Sequence, residues 1–224
     1  MKTSPEPVAL TVHSTPRPDP QALRRRTISG RLKMLLVLLA CAAPVVASYF
    51  TYYVIRPEGR TNYGELILPT RPMPTGMPLG SLDGAAVTPM DLRGQWLLIV
   101  VGPSACDPAC EQRLFMQRQL REMLGRERDR LDKIWFVTDG ADVRPALRDA
   151  LATGAPTRAL RVPATGLAAW LEPAPGQTLE SHLYLVDPMG TWMMRFPVQP
   201  EPGRVKRDLE RLLRASGFWD QAGR

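Results

Sequence analysis

The stretch Val100 to Phe115, VVGPSACDPACEQRLF, constrains this chain more than any other. An apolar run, Leu97 to Val101, breaks at Gly102-Pro103 and delivers Cys106 and Cys110. A helical period then runs from about Glu111 to Leu124, with Leu114, Gln117, Leu120 and Leu124 on one side and Arg113, Arg118, Arg121 and Glu122 elsewhere. The spacing predicts a strand, a loop holding two thiols, and a helix. A thiolate just before a helix N-terminus is stabilised by the helix dipole and by unpaired backbone N–H groups.

Two thiols four residues apart can share a soft cation or oxidise to a disulfide. As a structural staple such a bridge is poor, because the chain-entropy gain grows with loop length and short loops strain easily. Thiol redox chemistry or metal binding is therefore the favoured use. Redox proteins with a thioredoxin-type site carry CxxC, and the extra residue in CxxxC argues for metal. The donor supply is small, since the 224 residues hold three cysteines and two histidines. Cys41 lies in an apolar run and reads as a small apolar residue. His13 lies in a polar tail, which leaves His182.

Other chemistries find no support. Asp83, Asp139, Asp142 and Asp187 form no paired acid/base set, Ser104 has no matching base beyond the one histidine, and no glycine loop suits a phosphate. The formal charge of +7 comes mostly from arginines spread along the chain. They form no aromatic-interleaved basic stripe of the kind a nucleic-acid binder shows.

Residues 1–33 read as a disordered basic tail, rich in Pro, Ser and Thr at the start. Arg24, Arg25, Arg26, Arg31 and Lys33 then precede an uncharged run, residues 34–55, long enough to span a bilayer. Tyr49, Phe50, Tyr52 and Tyr53 resemble an interfacial aromatic belt. With only Arg56 and Arg60 soon after the span, the charge bias predicts a cytoplasmic N-terminus and a retained single-pass anchor. The Pro- and Gly-rich residues 56–78 read as a linker or extended arm, and residues 79–218 as one domain outside the cytoplasm, in a bacterial periplasm.

Within that domain a short strand is predicted at Ala86 to Thr88 and a buried one at Trp96 to Val101. A second buried strand follows at Ile134 to Val137, then a helix over Asp142 to Thr153 and a helical turn over Thr165 to Leu171. His182 to Val186 and Thr191 to Phe196 form a hairpin around Asp187-Pro188-Met189-Gly190. Pro202 to Ser216 is an amphipathic helix, with Val205, Leu209, Leu212 and Leu213 on one side. Alternating strands and helices predict an α/β fold with a mixed sheet covered on both faces. Alternation puts His182, Tyr184 and Val186 on one face. Glu180 or Asp187 would be the partner of a ligating His182 on its other ring nitrogen. Met189, Met193 and Met194 are thioether candidates near the hairpin, or strand filling.

This order, with a cysteine pair ending the first core strand, resembles the thioredoxin fold. The segments LDGAAVTPMDLRGQWLLIVVGPSACDPAC, IWFVTDGADVRPAL and SHLYLVDPMGTWMMRFP, within roughly residues 79–215, resemble the Sco/SenC family of membrane-anchored copper proteins. The resemblance implies a thioredoxin-like domain that binds Cu(I) or Cu(II) and helps assemble the CuA centre of cytochrome c oxidase. Its partners would be the oxidase subunit carrying that centre and the lipid bilayer of the bacterial inner membrane. It implies Cys106 and Cys110 as copper ligands, or as a redox pair in which Cys106 attacks, being the more exposed of the two if Cys110 begins the helix. The family's third ligand is a histidine about five residues before the strand tyrosine. Leu179 stands there, whereas His182 is two residues before Tyr184. The family's proline after the second cysteine is Glu111 here, and its aromatic-Gly-aromatic approach to the loop is Val101-Gly102-Pro103. A third alternative is an assembly factor that acts by binding alone.

Overall fold

The computed structural model describes residues 20–55 and 62–217. Two compact units divide the chain, residues 1–60 and 61–224. In the first, helix α1 spans Pro20–Phe50 and continues as a turn of π-helix, Thr51–Ile55. Residues 20–33 are thus helical where composition predicts a disordered tail. Alanine, leucine and arginine propagate a helix well once a long apolar segment has nucleated it. The rest of that predicted tail, residues 1–19, lies outside the described residues. Gly30–Val54 is long and apolar enough to cross a membrane, with a mean hydropathy of 2.1 and none of its described residues buried. Pro44 sits inside the helix without ending it.

The second unit is a single mixed sheet with helices on it. Its strands are β1 (Glu65–Pro72), β2 (Leu79–Ser81), β3 (Ala86–Val87), β4 (Trp96–Gly102), β5 (Leu131–Val137), β6 (Arg158–Arg161), β7 (Leu183–Val186) and β8 (Thr191–Arg195). Their order across the sheet is β1-β8-β7-β4-β5-β6-β2-β3. The β4–β5 and β5–β6 pairs are parallel, and the others are antiparallel. Helices α2 (Pro108–Met123), α3 (Pro145–Ala152), α4 (Ala164–Ala168) and α5 (Pro202–Ala215) complete it.

Strand β4 is central because it is apolar on both faces. Leu97 to Val101 are fully buried, and each such side chain contributes roughly 1.5–3 kcal/mol. Leu98 and Val100 enter one core with Trp96, Leu114, Leu120, Trp135, Leu185, Phe196, Leu209 and Leu213. Leu97, Ile99 and Val101 enter the other with Ile134, Phe136, Tyr184, Trp192, Leu167 and Trp170. Alternation along β4 thus divides the domain into two layers, and the layer under α2 and α5 contains both cysteines.

Three local differences from the sequence reading bear on the site. The residues predicted as a linker carry β1, whose Glu65 and Leu66 pair with Arg195 and Met194. Buried Asp208 of α5 holds the start of that arm, accepting from the N–H groups of Tyr63 at 2.7 Å and Gly64 at 2.8 Å. Strand β6, absent from the sequence reading, is short and half-buried, so its hydrophobic period is weak. Helix α2 begins at Pro108 and not near Glu111, because Asp107 caps it: its carboxylate accepts from the Cys110 N–H at 2.7 Å.

Candidate functional site: the Cys106–Cys110 pair

Strand β4 ends at Gly102, the chain turns at Pro103, and Cys106 and Cys110 are joined by a disulfide at the start of α2. Cys106 ends the loop and Cys110 lies in the first helical turn, among backbone N–H groups without intrahelical acceptors. Both residues are buried, 2% and 1% exposed, so the two sulfurs barely differ in exposure. The bridge lies beneath the exposed Pro103, Ala105 and Asp107 to Ala109.

Cys106 has φ +35°, the only positive value among the described residues other than glycine. A side chain there costs on the order of 1–3 kcal/mol, so its surroundings must hold it. Its N–H donates to the Pro103 carbonyl at 3.1 Å. Its carbonyl accepts from the Arg144 guanidinium at 3.0 Å, and Arg144 is ion-paired with Glu111. Glu111, standing where Sco/SenC proteins carry proline, thus anchors the cation that holds the Cys106 backbone. The Ser104 N–H donates to both oxygens of Asp139, at 3.2 and 3.1 Å, tying the loop to the segment after β5.

Beneath the bridge the packing is close. A Cβ added at Gly102 would lie 3.3 Å from Cys110 Sγ and 3.7 Å from Trp135 Nε1. Gly102 therefore lets the strand pass against the sulfur. Two turns further along α2, Gln117 is fully buried and donates to the carbonyls of Leu98 at 2.6 Å and Ile134 at 2.9 Å, which fixes α2 on β4 and β5.

His182 stands at the same end of the sheet as the cysteines, because β7 runs antiparallel to β4 and Leu183 pairs with Val100. It is on the other face. Leu183 and Leu185 point into the cysteine layer, whereas Tyr184 and Val186, which share His182's face, belong to the opposite core. Its ring is buried at 2% exposure under the Glu172–Thr178 loop. Nε2 accepts from the Ala174 N–H at 3.2 Å, which puts the proton on Nδ1, and Nδ1–H donates to the Phe196 carbonyl at 2.8 Å. Both ring nitrogens are used within the protein. Burial holds the imidazole below its ordinary value of 6.5, aided by the charges of Arg195 and Arg113 and opposed by the Phe196 carbonyl and Glu65. His182 is thus a neutral ring in a filled position.

The other predicted partners also lie elsewhere. Asp187 accepts from the N–H groups of Met189 and Thr191 and shapes the hairpin turn. Met189 is exposed on that turn, at the opposite end of the sheet from the cysteines. Met194 is buried core. Leu179 packs against the His182 layer, and its carbonyl accepts from the Tyr184 hydroxyl at 2.9 Å. Among the described residues no group of three or more His, Cys, Asp and Glu side chains is placed to hold a metal ion. On this face the two cysteine sulfurs share their layer with buried Met194 and half-buried Met116 and Met193.

With this geometry in place, comparison with known proteins decides the family. A family model described as a transmembrane-like, thioredoxin-like, C-terminal domain matches residues 96–216, from the first residue of β4 to the end of α5. The chain belongs to this family. The match contains both cysteines and His182. No curated protein matches the chain in sequence.

Solved structures share the fold at low identity. Apo Sco1 from Thermus thermophilus superposes with a TM-score of 0.51 at 20% identity, covering 70% of this chain and 99% of that one. Copper-bound yeast Sco1 gives 0.50 at 16%, covering 70% and 96%, and copper-bound Arabidopsis thaliana ScoI gives 0.50 at 12%, covering 68% and 99%. The thioredoxin-like fold expected from the resemblance to Sco/SenC proteins is thus present.

Sequence reading misses the residues that hold the pair in place. Asp107-Pro108 is a legible cap-and-first-residue signal. Gln117 shows only as a polar residue on the apolar side of its helix, and Asp139, Arg144 and Trp135 carry no signal of their own, since the parallel β4–β5 pairing is what brings their segments to the loop.

Proposed function

We propose that this chain is a membrane-anchored thiol–disulfide exchange protein whose Cys106–Cys110 pair acts on cysteines of the cytochrome c oxidase subunit that holds the CuA centre. The observation that carries the reading is a two-cysteine bridge at a helix N-terminus on a thioredoxin-like fold, while His182 has both ring nitrogens bonded within the protein. The apolar helix anchors it in the bacterial inner membrane, with the basic N-terminus in the cytoplasm and the domain in the periplasm.

In the reduced state the Cys106 thiolate, beside a helix N-terminus and the Arg144 guanidinium, attacks a partner disulfide. One Cys106–partner S–S bond forms, the partner's bond breaks, and its second sulfur leaves as a thiolate. Cys110 then gives up its proton and attacks Cys106, releasing the partner's first sulfur. The partner gains two electrons and two protons, and Cys106–Cys110 is restored. Return to the dithiol requires a dithiol donor in the same compartment.

A second reading rests on the fold shared with the copper-bound yeast and Arabidopsis structures. The reduced pair would carry Cu(I) as cargo between two thiolates, a soft ion on soft ligands, and hand it to the acceptor's own thiols. His182 takes no part, since its lone pair accepts the Ala174 N–H.

The test is trapping. A Cys110→Ser chain attacks but cannot resolve, so a reductant-sensitive adduct with the CuA subunit is expected on non-reducing gels of bacterial membranes and lost when Cys106 is also Ser. No adduct with that subunit would contradict the exchange reading.

A further inference from the structure

Four tryptophans lie among the described residues, and three have their indole N–H bonded. Trp96 donates to Ser216 Oγ at 3.1 Å, Trp170 to the Arg71 carbonyl at 2.9 Å, and Trp192 to the Met194 carbonyl at 3.0 Å. Trp135 is fully buried on β5, and its Nε1 has no partner. A buried donor left unpaired is costly and uncommon. The place of this one is informative. Nε1 and Cys110 Sγ bracket the same point beside Gly102, 3.7 and 3.3 Å from where a Cβ would be. Gly102 leaves that space clear.

We propose that the Trp135 indole N–H is a positioning donor for the Cys110 thiolate and is satisfied only when the disulfide is open. A disulfide sulfur is neutral and a weak acceptor, so the N–H stays unpaired in the oxidised state. Reduction breaks the S–S bond with two electrons and two protons. Loss of the Cys110 proton then leaves a charged sulfur, and hydrogen bonds to charged groups are the strong ones. The donor thereby favours the dithiol state and the ionised Cys110, which makes the pair a milder reductant of partner disulfides and holds Cys110 ready as the resolving thiolate. This inference rests on the exchange reading above and adds the group that sets its balance.

The test follows the indole directly. The full chain in detergent micelles, 15N-labelled, is reduced with excess dithiothreitol, which supplies the electrons and closes to its own cyclic disulfide. A rise from one alkylatable thiol per chain, Cys41, to three confirms reduction. The Trp135 indole signal is identified by its absence in Trp135→Phe, or by its contact with the Cys110 β protons if that variant does not fold. On reduction and a rise in pH its proton should move downfield, with the resonances of Trp96, Trp170 and Trp192 unmoved. Trp135→Phe should raise the pH midpoint of Cys110 alkylation by about one unit and move the equilibrium with dithiothreitol about ten-fold toward the disulfide. A pair that reduces while the Trp135 signal stays in place overturns this inference and leaves exchange standing. A pair that yields no alkylatable thiols overturns both.

Discussion

The two faces of the sheet, at the end where β4 finishes and β7 begins, hold the same kinds of residue in opposite conditions. On one face Cys106 has a left-handed backbone and a guanidinium on its carbonyl, and an unpaired indole N–H, like the Cys110 sulfur, lies within 4 Å of where a Gly102 Cβ would be. On the other, His182 has a backbone partner on each ring nitrogen and lies under a loop. A residue whose hydrogen-bonding capacity is spent inside the fold is structural. A residue held in a strained conformation beside unspent capacity is available for chemistry. The difference assigns the chemistry to the cysteine face and stability to the histidine face, although a count of candidate ligands puts all three residues in one site.

The largest expected effect breaks the cysteine face. Replacing Cys106 and Cys110 together by Ser should remove thiol exchange and Cu(I) binding altogether, with the chain still folded by circular dichroism. Retained Cu(I) binding would place the donors elsewhere.

The next breaks the histidine face. His182→Ala leaves the Ala174 N–H and the Phe196 carbonyl without partners, and should cost about 2–4 kcal/mol in denaturant unfolding. The reactivity of the thiols should not change. The pH dependence sharpens the contrast. Because burial holds the folded imidazole below its ordinary value, the unfolded chain takes up the proton first. Stability owed to the neutral ring is present above about pH 6.5 and is lost as pH falls through the lower folded value. His182→Ala should flatten that acid slope. A slope that persists would mean another group carries it.

Gly102→Ala puts a methyl 3.3 Å from Cys110 Sγ, tighter than usual packing, and should destabilise the oxidised domain by about 1–2 kcal/mol. An equal Ala substitution at exposed Gly140, with open space around it, should be nearly silent. The smallest effect is at Arg144→Gln. Its pair with Glu111 is solvent-exposed and contributes about 1 kcal/mol or less. The loop loses the cation bonded to the Cys106 carbonyl, so alkylation of the reduced pair should slow about two- to three-fold at low salt and converge with wild type at high salt.

Much of the fold was legible because its signals are local. The unbroken apolar run of β4, the helical periods of α2 and α5 and the Asp187–Gly190 turn each state their own structure. Strand β1 was hidden because its edge position leaves none of its residues fully buried, and its prolines read as linker. The cysteine pair was equally legible, since four residues separate its members. The role of His182 was not. Alternation gave its face, but only the covering loop from Glu172, brought over by tertiary packing, shows that its second nitrogen is taken. Trp135 is the extreme case: its sequence neighbours say only that it is core, and its proximity to Cys110 arises from strand pairing across 25 positions of chain between them.

The most direct measurement is an anaerobic Cu(I) titration of the reduced chain against a competing chelator, comparing wild type with His182→Ala. A soft ion reports every available donor at the site. The account predicts one Cu(I) per chain with affinities equal within about two-fold, because two thiolates do the binding. A loss of ten-fold or more in His182→Ala, with the variant folded, would put the imidazole in the site and contradict the separation of the two faces.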